Sequence, residues 1–431
     1  MKKLFTLFVA GIFALSAMAQ TVYYVKTDGS DTNNDGQSWG NAFATLTKAF
    51  SSSVTGDEIR VGQGTFTNTA TYSLSNKSLT LKGGFGTDGI QDYSQKTVID
   101  ANSLRMMTIS STGSELTFKI DGFVFKNGVS TGYGGAISFN KIAATISNCD
   151  FSNNRTASYG GGGVYFASVT TSCTVVNCKF YGNSAKDGGG IYSGSGFTLN
   201  VINSTIAYNT ATSTGGGGGG GIYGAGTTNL YNSIIYGNKK GSVLEQLKGS
   251  GIGTAVGTFY FNHNIIEEGK PLSGGNFNTV NSDEIDANDV DPLFIDATTG
   301  DLHLSNAASP AINSGDNTLF PSELSTDLDN NQRIFQTTVD LGCYEFLGST
   351  DYKNIELTKD IQIYPNPSSD FIKVNLKSQV SLIEIKDLTG KSVLRQSVGL
   401  TNYSIILDVR KLSKGLYILS AGNNTSKVVI K

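Results

Sequence analysis

Apolar and polar residues alternate with period two through the middle of the chain, and the alternating segments recur at regular intervals between Leu116 and Asn238. An asparagine followed three residues later by phenylalanine or isoleucine marks each repeat, with spacings of 29, 26 and 29 residues between Asn148, Asn177, Asn203 and Asn232. Two apolar columns keep this register: Ile120, Ile146, Val175, Val201 and Leu230, and Phe125, Phe151, Phe180, Ile206 and Ile235. Period-two alternation indicates strands and excludes arrays of helical repeats.

A coil of about 27 residues has room for three short strands and three turns, and such coils stack about 4.8 Å apart. Stacking buries each apolar column in the lumen of the solenoid. The predicted fold class is therefore all-β, a right-handed parallel β-helix solenoid followed by a small C-terminal β-sandwich. The handedness follows from the general rule for crossover connections between parallel strands.

Glycines and asparagines recur in phase with the columns, which points to turns between the strands of each coil. Glycine adopts positive φ freely, asparagine tolerates it, and stacked asparagines can satisfy one another's amide groups. We therefore predict that Asn148, Asn177, Asn203 and Asn232 form a structural ladder, in preference to a ligand-binding role.

The first nineteen residues are typical of a signal peptide. Lys2 and Lys3 precede the apolar run from Leu4 to Leu15, and small residues around Ala17 and Ala19 suit a signal peptidase. We expect the mature chain to begin at Gln20 and to contain no transmembrane helix.

A capping helix over 39–50 is predicted to close the first coil, because a solenoid needs a cap on its apolar end.

Composition narrows the function without naming it. The formal net charge is −3 and only 16% of the residues are charged, so a nucleic acid partner is not expected. Four cysteines in 431 residues are too few for a disulfide scaffold. Cys149, Cys173 and Cys178 fall in inward registers and should be buried, although a bond between Cys149 and Cys178 stays open. We expect a monomer.

The motifs of the solenoid resemble a known group of proteins over nearly all of 20–346. The Phe-x-x-Asn and Gly-Gly-x-Ile repeats look like those of polymorphic outer-membrane β-helix proteins in a Bacteroidetes-type exported context. The start of the mature chain is similar to the opening of pectate-lyase-like β-helix proteins, in three segments: Val22–Val25, Asp35–Trp39 and Ala42–Leu46. The last part resembles the closing segment of such proteins, in Asp291–Phe294, Ser309–Gly315 and Asp340–Glu345.

Beyond a linker over 347–360, the residues 361–431 form short alternating strands and resemble the C-terminal sorting domain of type IX secretion cargo. The motif residues are Tyr364, Pro365, Asn366, Pro367, Gly390, Gly415 and Tyr417. The resemblance implies an immunoglobulin-like β-sandwich, the type IX secretion machinery as partner, and passage through the periplasm to the cell surface or the medium. An immunoglobulin-like binding domain is the alternative.

Catalytic chemistry has little support in the regular coils. Polysaccharide lyases and hydrolases need carboxylates and a base on one outward face, whereas the only acidic residues here are Asp121, Asp150 and Asp187, which share no register. The two histidines, His263 and His303, lie far apart in the sequence, and we predict a structural role for His263.

We therefore expect a non-catalytic, adhesin-like protein that binds glycan or another surface. Four tyrosines are the candidate stacking faces: Tyr165, Tyr181, Tyr208 and Tyr236. A divergent polysaccharide lyase or glycoside hydrolase is the alternative, and an outward cluster of charged residues in a groove would distinguish it.

One loop resembles a calcium-binding sequence. Asp31, Asn33 and Asp35 place oxygen donors at positions one, three and five, with Gly36 at position six, as in an EF-hand loop. Ala42 stands where the bidentate glutamate belongs, so at most a weak Ca²⁺ site is expected, and no other cofactor.

Overall fold

The computed structural model describes residues 20–249, 257–267, 276–279, 290–322, 324–335, 337–348, 361–376, 382–398, 404–421 and 424–431. The predicted signal peptide and the linker residues from 349 onward lie outside them. The chain divides into two compact units after Gly348. The first is a parallel β-solenoid of about seven coils, and the second consists of small antiparallel sheets. The predicted fold class is confirmed.

One sheet of the solenoid bends sharply, so that it has two arms. The first arm consists of Val22–Val25, Glu58–Gly62, Leu79–Phe85, Leu116–Asp121, Ile142–Ser147, Ser172–Val176 and Thr198–Ile202. The second arm consists of Gly64–Thr67, Thr97–Asp100, Phe123–Lys126, Asp150–Ser152, Lys179–Tyr181 and Thr205–Ala207. The long strands Thr227–Tyr236 and Thr258–Ile266 continue the sheet, followed by Asn276–Thr279.

Two further sheets complete each coil. The second sheet has very short strands: Val129–Ser130, Arg155–Thr156, Ser184–Ala185, Thr210–Ala211, Lys239–Lys240 and Val243–Leu244. The third sheet contains Tyr72–Ser75, Met107–Ser110, Ile137–Asn140, Val164–Ala167, Ile191–Ser193, Ile222–Gly224 and Leu247–Gly249. Pairing between coils is parallel, except where Val243–Leu244 turns back on Lys239–Lys240.

Both predicted columns stack in the lumen. In the first, Ile146 pairs with Ile120 and Val175, and Val175 pairs with Val201. In the second, Phe151 lies between Phe125 and Phe180, with ring centroids 5.0 Å and 4.6 Å apart. The members of both columns are fully buried. The period of the sequence therefore fixes which side chains face inward.

The glycine pairs are required by the backbone. Gly161 has φ +76°, and a Cβ on Gly162 would lie 2.2 Å from the carbonyl oxygen of Gly189 in the next coil. The first glycine thus supplies a left-handed turn, while the second allows two coils to approach closely.

The N-terminal cap is shorter than predicted. The α-helix spans Leu46–Ser52, and Trp39 lies in the irregular segment before it. Asp31 explains this boundary, because its carboxylate accepts hydrogen bonds from the amides of Ala44 and Thr45 and from the Thr45 hydroxyl. Those contacts hold the chain in a loop up to the N-cap Thr45, and the helix then buries Leu46, Ala49 and Phe50. A 3₁₀ turn, Tyr93–Gln95, is the other helical element described.

The closing segment, which we define as the described residues of 290–348, packs on the outside of the solenoid. It contains one antiparallel pair, Phe294–Asp296 and Asp301–Leu304. Its apolar residues form small clusters with outward residues of the coils, such as Leu324 with Val176 and Ile202. Part of the solenoid's outer surface is thereby covered.

The second unit has two antiparallel sheets. One contains Ile361–Tyr364, Phe371–Leu376 and Ser404–Asp408, and the other contains Leu382–Lys386, Ser392–Ser397, Gly415–Ala421 and Asn424–Ile430. Ile372 of the first sheet and Ile385 and Leu419 of the second share one buried core, as in a β-sandwich. Among the described residues, no helix has the length and apolar character that crossing a bilayer requires.

Candidate functional site

The asparagines at the bend of the first sheet are only partly a ladder. All four have φ between +43° and +53°. The Asn177 amide donates to Oδ1 of Asn148 at 2.6 Å, and the Asn232 amide to Oδ1 of Asn203 at 3.4 Å. The Asn177 amide also donates outward, to the Thr326 carbonyl of the closing segment. The predicted asparagine column therefore also binds the closing segment.

A second, continuous ladder lies inside the solenoid and was not predicted. Its members are Asn154, Asn183, Asn209, Asn238 and Gln246. Each asparagine donates its side-chain amide to the oxygen of the next member at 2.8–3.0 Å. The same oxygen also accepts the backbone amide of the preceding asparagine. The sequence signal was present, because each of these asparagines lies six residues after the asparagine that opens its repeat.

Three of the four candidate tyrosines lie under the closing segment. Tyr181, Tyr208 and Tyr236 form an edge-to-face row with ring centroids 6.1 Å and 6.2 Å apart. The Tyr181 hydroxyl donates to the carbonyls of Ala297 and Thr298, and Tyr236 packs against Phe294. The closing segment packs against all three, and their role as faces for an external ligand stays a prediction. We call them the covered row.

Tyr165 belongs to a different surface, the outward face of the third sheet. It stacks between Tyr133, at 4.2 Å, and Tyr192, at 5.1 Å, and Tyr192 stacks on Tyr223 at 4.9 Å. Tyr159 tilts against Tyr133. Tyr165 is therefore separate from the covered row, and the four tyrosines around it were not among the predicted residues. Three of these tyrosines directly follow the Gly-Gly-x-Ile/Val phrase, which was the available signal.

We call Tyr133, Tyr159, Tyr165, Tyr192 and Tyr223 the open stack. Tyr133 and Tyr159 are 40% and 41% exposed. Because the rings stack on one another, the column presents ring edges and hydroxyl groups to solvent. Within the described residues, none of these hydroxyls makes a protein hydrogen bond. Burial, together with the neighbouring Tyr133, raises the pKa of Tyr165 to about 12, so its hydroxyl stays protonated near neutral pH and can donate.

Charged groups border the open stack. Asp187 follows the strand Ser184–Ala185, forms a bridge with Gly160, and carries one buried oxygen without a hydrogen-bond partner. Burial raises the pKa of this carboxyl. Lys248 continues the column of Tyr192 and Tyr223 in the next coil. The surface is thus aromatic with polar ends.

A groove of about 530 Å³ lies on the first arm, beside Leu324 of the closing segment. Lys82, Lys119 and Asp121 line it. The Asp121 carboxylate accepts hydrogen bonds from the Tyr93 hydroxyl, the Ser147 hydroxyl and the amides of Gln91 and Asn148. Burial and this carboxylate raise the pKa of Tyr93.

The three acids of the regular coils are not brought together. Asp121 lies on the first arm, while Asp150 lies on the second arm and pairs with Lys179 at 2.6 Å. Asp187 lies in the turn before the third sheet. Each carboxylate therefore belongs to a different part of the coil.

The histidines have separate settings. His263 has φ +56° and its Nδ1 lies 2.7 Å from the side-chain oxygen of Asn262. His303 belongs to the closing segment, where its ring nitrogens lie 2.5 Å from Asp301 and 2.6 Å from Asp329, and its ring stacks on Tyr344. Burial opposes the charged imidazolium, but the two carboxylates outweigh it and raise the pKa of His303.

The carboxylates of the predicted calcium loop accept hydrogen bonds from the protein. Both oxygens of Asp31 accept protein hydrogen bonds, Asp35 accepts from the Gln37 amide, and Asn33 is exposed. No cluster of three or more acidic, histidine or cysteine side chains suited to a metal occurs in the described ranges. A weak Ca²⁺ site at this loop stays a prediction. The cysteines Cys149, Cys173, Cys178 and Cys343 are buried free thiols.

The motif residues of the second unit stabilise its fold. Asn366 exchanges hydrogen bonds with the backbone of Lys427 and Val429, which joins the first loop to the last strand. Gly390, with φ +84°, closes a hairpin turn, and Gly415 begins the strand in which Tyr417 enters the core. Tyr364, Pro365 and Pro367 lie on the exposed side of this loop.

Comparison with known proteins assigns the second unit. Residues 362–431 match the family model of the secretion system C-terminal sorting domain. The protein is accordingly a type IX secretion cargo, exported to the cell surface or the medium. A search of curated proteins found no match.

Two solved structures with some similarity to this chain are lyases. One is pectate lyase Pel9A, with 14% identity and a TM-score of 0.39, covering 75% of this chain and 96% of that chain. Another is a rhamnogalacturonan lyase, with 15% identity and a TM-score of 0.35, covering 57% of this chain and 68% of that chain.

Proposed function

We propose that this exported protein is a non-catalytic, adhesin-like glycan-binding protein, and that the open stack is its binding surface. The observation that carries the proposal is a run of tyrosines along the third sheet whose hydroxyls have no protein partner in the part of the chain that the structure describes. Aromatic residues with a polar tip suit surfaces that are half apolar and half wet. The coil spacing of about 4.8 Å is comparable with the advance per sugar unit in an extended polysaccharide, so successive hydroxyls can meet successive sugars.

The test is retention of the secreted protein by a panel of immobilised neutral and acidic polysaccharides, scored together with product formation. Tyr192→Ala should lower retention about tenfold, because it removes a hydroxyl and breaks the stack on both sides. Tyr192→Phe, which removes the hydroxyl alone, should also lower retention, and its matched control Tyr181→Phe in the covered row should leave retention unchanged. Equal retention by Tyr192→Ala and the unaltered protein would overturn the proposal.

A lyase or hydrolase is the second candidate, and the groove on the first arm favours it because two lysines and a carboxylate line it. The separation of the three acids and the four hydrogen bonds to Asp121 favour a binding role. Release of products from an acidic polysaccharide, abolished by Asp121→Asn, would establish the enzyme instead. Absence of products with retention intact supports the binding protein.

We further propose that the sorting domain acts as an address and is then removed or exchanged for an anchor. Its buried core lies wholly within 361–431, so its removal leaves the core of the solenoid intact. Deleting 361–431 should trap a folded β-solenoid in the periplasm. Arrival of the truncated protein at the surface, or retention of Lys431 in the mature surface protein, would contradict the corresponding half of this proposal.

A further inference from the structure

A cleft of about 240 Å³ lies at the N-terminal end of the solenoid, where the cap meets the first two coils. Trp39 and Phe85 line it. Their ring centroids are 5.6 Å apart, and Tyr24 meets Trp39 edge-on at 4.9 Å. Phe85 is buried, whereas Trp39 is half-buried. The cleft thus has an aromatic wall, and this tryptophan is the single one in the chain.

Polar residues complete the lining of the cleft. Thr27, Gln63 and Thr87 are among them. The side chain of Gln63 makes no hydrogen bond within the described part of the chain. An amide offers two donors and two lone pairs, so it can bind neighbouring hydroxyls of one ligand. An apolar wall opposed by a few polar groups is the usual composition of a small-molecule site.

The charges indicate what kind of sugar would bind. Lys26 is the cation in the cleft and pairs with Asp28 at 3.5 Å. Arg60, which lies over the Phe85 ring, pairs with Glu58. A neighbouring cleft of about 420 Å³ shares Gln63, Gly86 and Thr87 with the first. It adds the acidic side chains Asp88 and Asp92.

With its cations paired and its extension acidic, the region repels a polyanion. We propose that the Trp39 cleft is a second saccharide site, which binds a neutral pyranose unit against the aromatic wall and continues along the acidic extension. The indole and Phe85 rings take the apolar face of the sugar, while Gln63 binds its hydroxyls. The site is separate from the open stack and does not depend on it. Two sites on one rigid solenoid would raise the avidity for a long polysaccharide.

The single tryptophan allows a direct test with the full secreted protein. Its emission should shift saturably with neutral oligosaccharides, such as cello-, manno- or xylo-oligosaccharides, and stay unchanged with oligogalacturonides. Gln63→Ala should weaken the binding that this shift reports by about fivefold, since it removes the hydroxyl-binding amide. Gln37→Ala, the same change at an exposed residue of the neighbouring loop, should leave it unaltered.

Calorimetry provides a readout that does not need the fluorophore. Trp39→Phe should weaken binding of the neutral oligosaccharide at least as much as Gln63→Ala does. Circular dichroism should show that the solenoid remains folded. An unchanged emission with every neutral oligosaccharide, or equal binding by Gln63→Ala and Gln37→Ala, would overturn the site. Tyr192→Ala should keep the emission shift, so loss of retention at the open stack and loss of binding at Trp39 are distinguishable.

Discussion

The covered row and the open stack are two tyrosine columns of one solenoid with opposite surroundings. Tyr165, Tyr192 and Tyr223 of the open stack pair in register along successive coils, whereas in the covered row Tyr208 lies one position beyond Ala207, which pairs with Tyr181 and Tyr236. In the covered row the Tyr181 hydroxyl donates to two carbonyls of the closing segment. In the open stack, within the described residues, the hydroxyls have no protein partner. The repeat places tyrosines on two faces of the coil, but the non-repeating closing segment decides which of them have a protein partner for the hydroxyl.

Both columns depend on the same lumen, so the largest effect should come from breaking it. Val175→Asp places an unpaired charge in a fully buried apolar column and should cost several kcal/mol in the free energy of unfolding. Chemical denaturation should show the loss, together with loss of glycan retention. Thr174→Asp, on the outward face of the same strand, is the control and should cost less than about 1 kcal/mol. Similar losses for the two variants would contradict the assigned register.

A smaller effect is expected from the inner ladder, which lies beside the covered row. Asn209→Ala removes the amide that donates to Asn238 and to the Phe180 carbonyl, and the oxygen that accepts from Asn183. It should destabilise the protein by about 3 kcal/mol, because buried partners are left unsatisfied.

Asn200→Ala is the matched control for the ladder variant, since Asn200 makes a half-buried amide contact on the outer surface. Its cost should stay near 1 kcal/mol. Thermal unfolding of the two variants side by side measures the difference. If Asn209→Ala were no less stable than Asn200→Ala, the inner amides would contribute little to the free energy of unfolding.

Removing one hydroxyl from each column tests the difference between the covered row and the open stack directly. Tyr181→Phe should lose about 1 kcal/mol, because two carbonyls lose their donor. Tyr192→Phe should leave stability within about 0.5 kcal/mol while weakening glycan retention. The reverse order in unfolding experiments would mean that the open stack is the structural column.

The smallest effect is a pH dependence of the closing segment. Hydrogen bonds to Asp329 and Asp301 raise the pKa of His303 despite its burial. Its contribution is therefore complete below the ordinary pKa of about 6.5 and is lost as the pH rises through the folded-state value. Burial also raises the pKa of Glu345, to about 8. This group therefore also makes the folded state less stable as the pH rises. His303→Gln should remove its part, about 1–2 °C of the Tm difference between pH 5.5 and 8.

Other ionisable groups face His303 and stay in place in that variant. Lys96 donates to the Leu328 carbonyl and Lys179 pairs with Asp150, and both lysines interact with Asp329. An identical pH profile for His303→Gln and the unaltered protein would assign the dependence to Glu345 instead.

Local repetition accounts for what the sequence predicted well. Ile146, Val175 and Val201 lie in register because each coil repeats the same alternation, and a buried column needs no information from elsewhere in the chain. The covering of Tyr208 is different, because it depends on residues almost a hundred positions later. No periodicity within the coils carries that information.

The separation of Tyr165 from the other three candidate tyrosines has a simpler cause. Tyr165 directly follows a Gly-Gly-x-Val phrase, whereas Tyr181 and Tyr236 directly follow the Phe or Ile of the other phrase. The two phrases belong to different sheets of the coil. The inner ladder was not predicted for a related reason, since each repeat contains two asparagines six residues apart and only the first of them marks the left-handed turn. The shorter cap helix reflects Asp31, whose hydrogen bonds to Ala44 and Thr45 are non-local.

The inner ladder also sets how this molecule can grow. At one end the Gly128 backbone amide donates to Asn154, and at the other the longer side chain of Gln246 receives the amide of Asn238. Between them every rung is equivalent by translation along the axis. A duplicated internal coil would find a partner for each of its amides, whereas a coil added beyond Gln246 would meet a side chain of different length. Solenoids of this type can therefore lengthen from the middle, so the tyrosine surface can be extended by gene duplication without redesign of its ends.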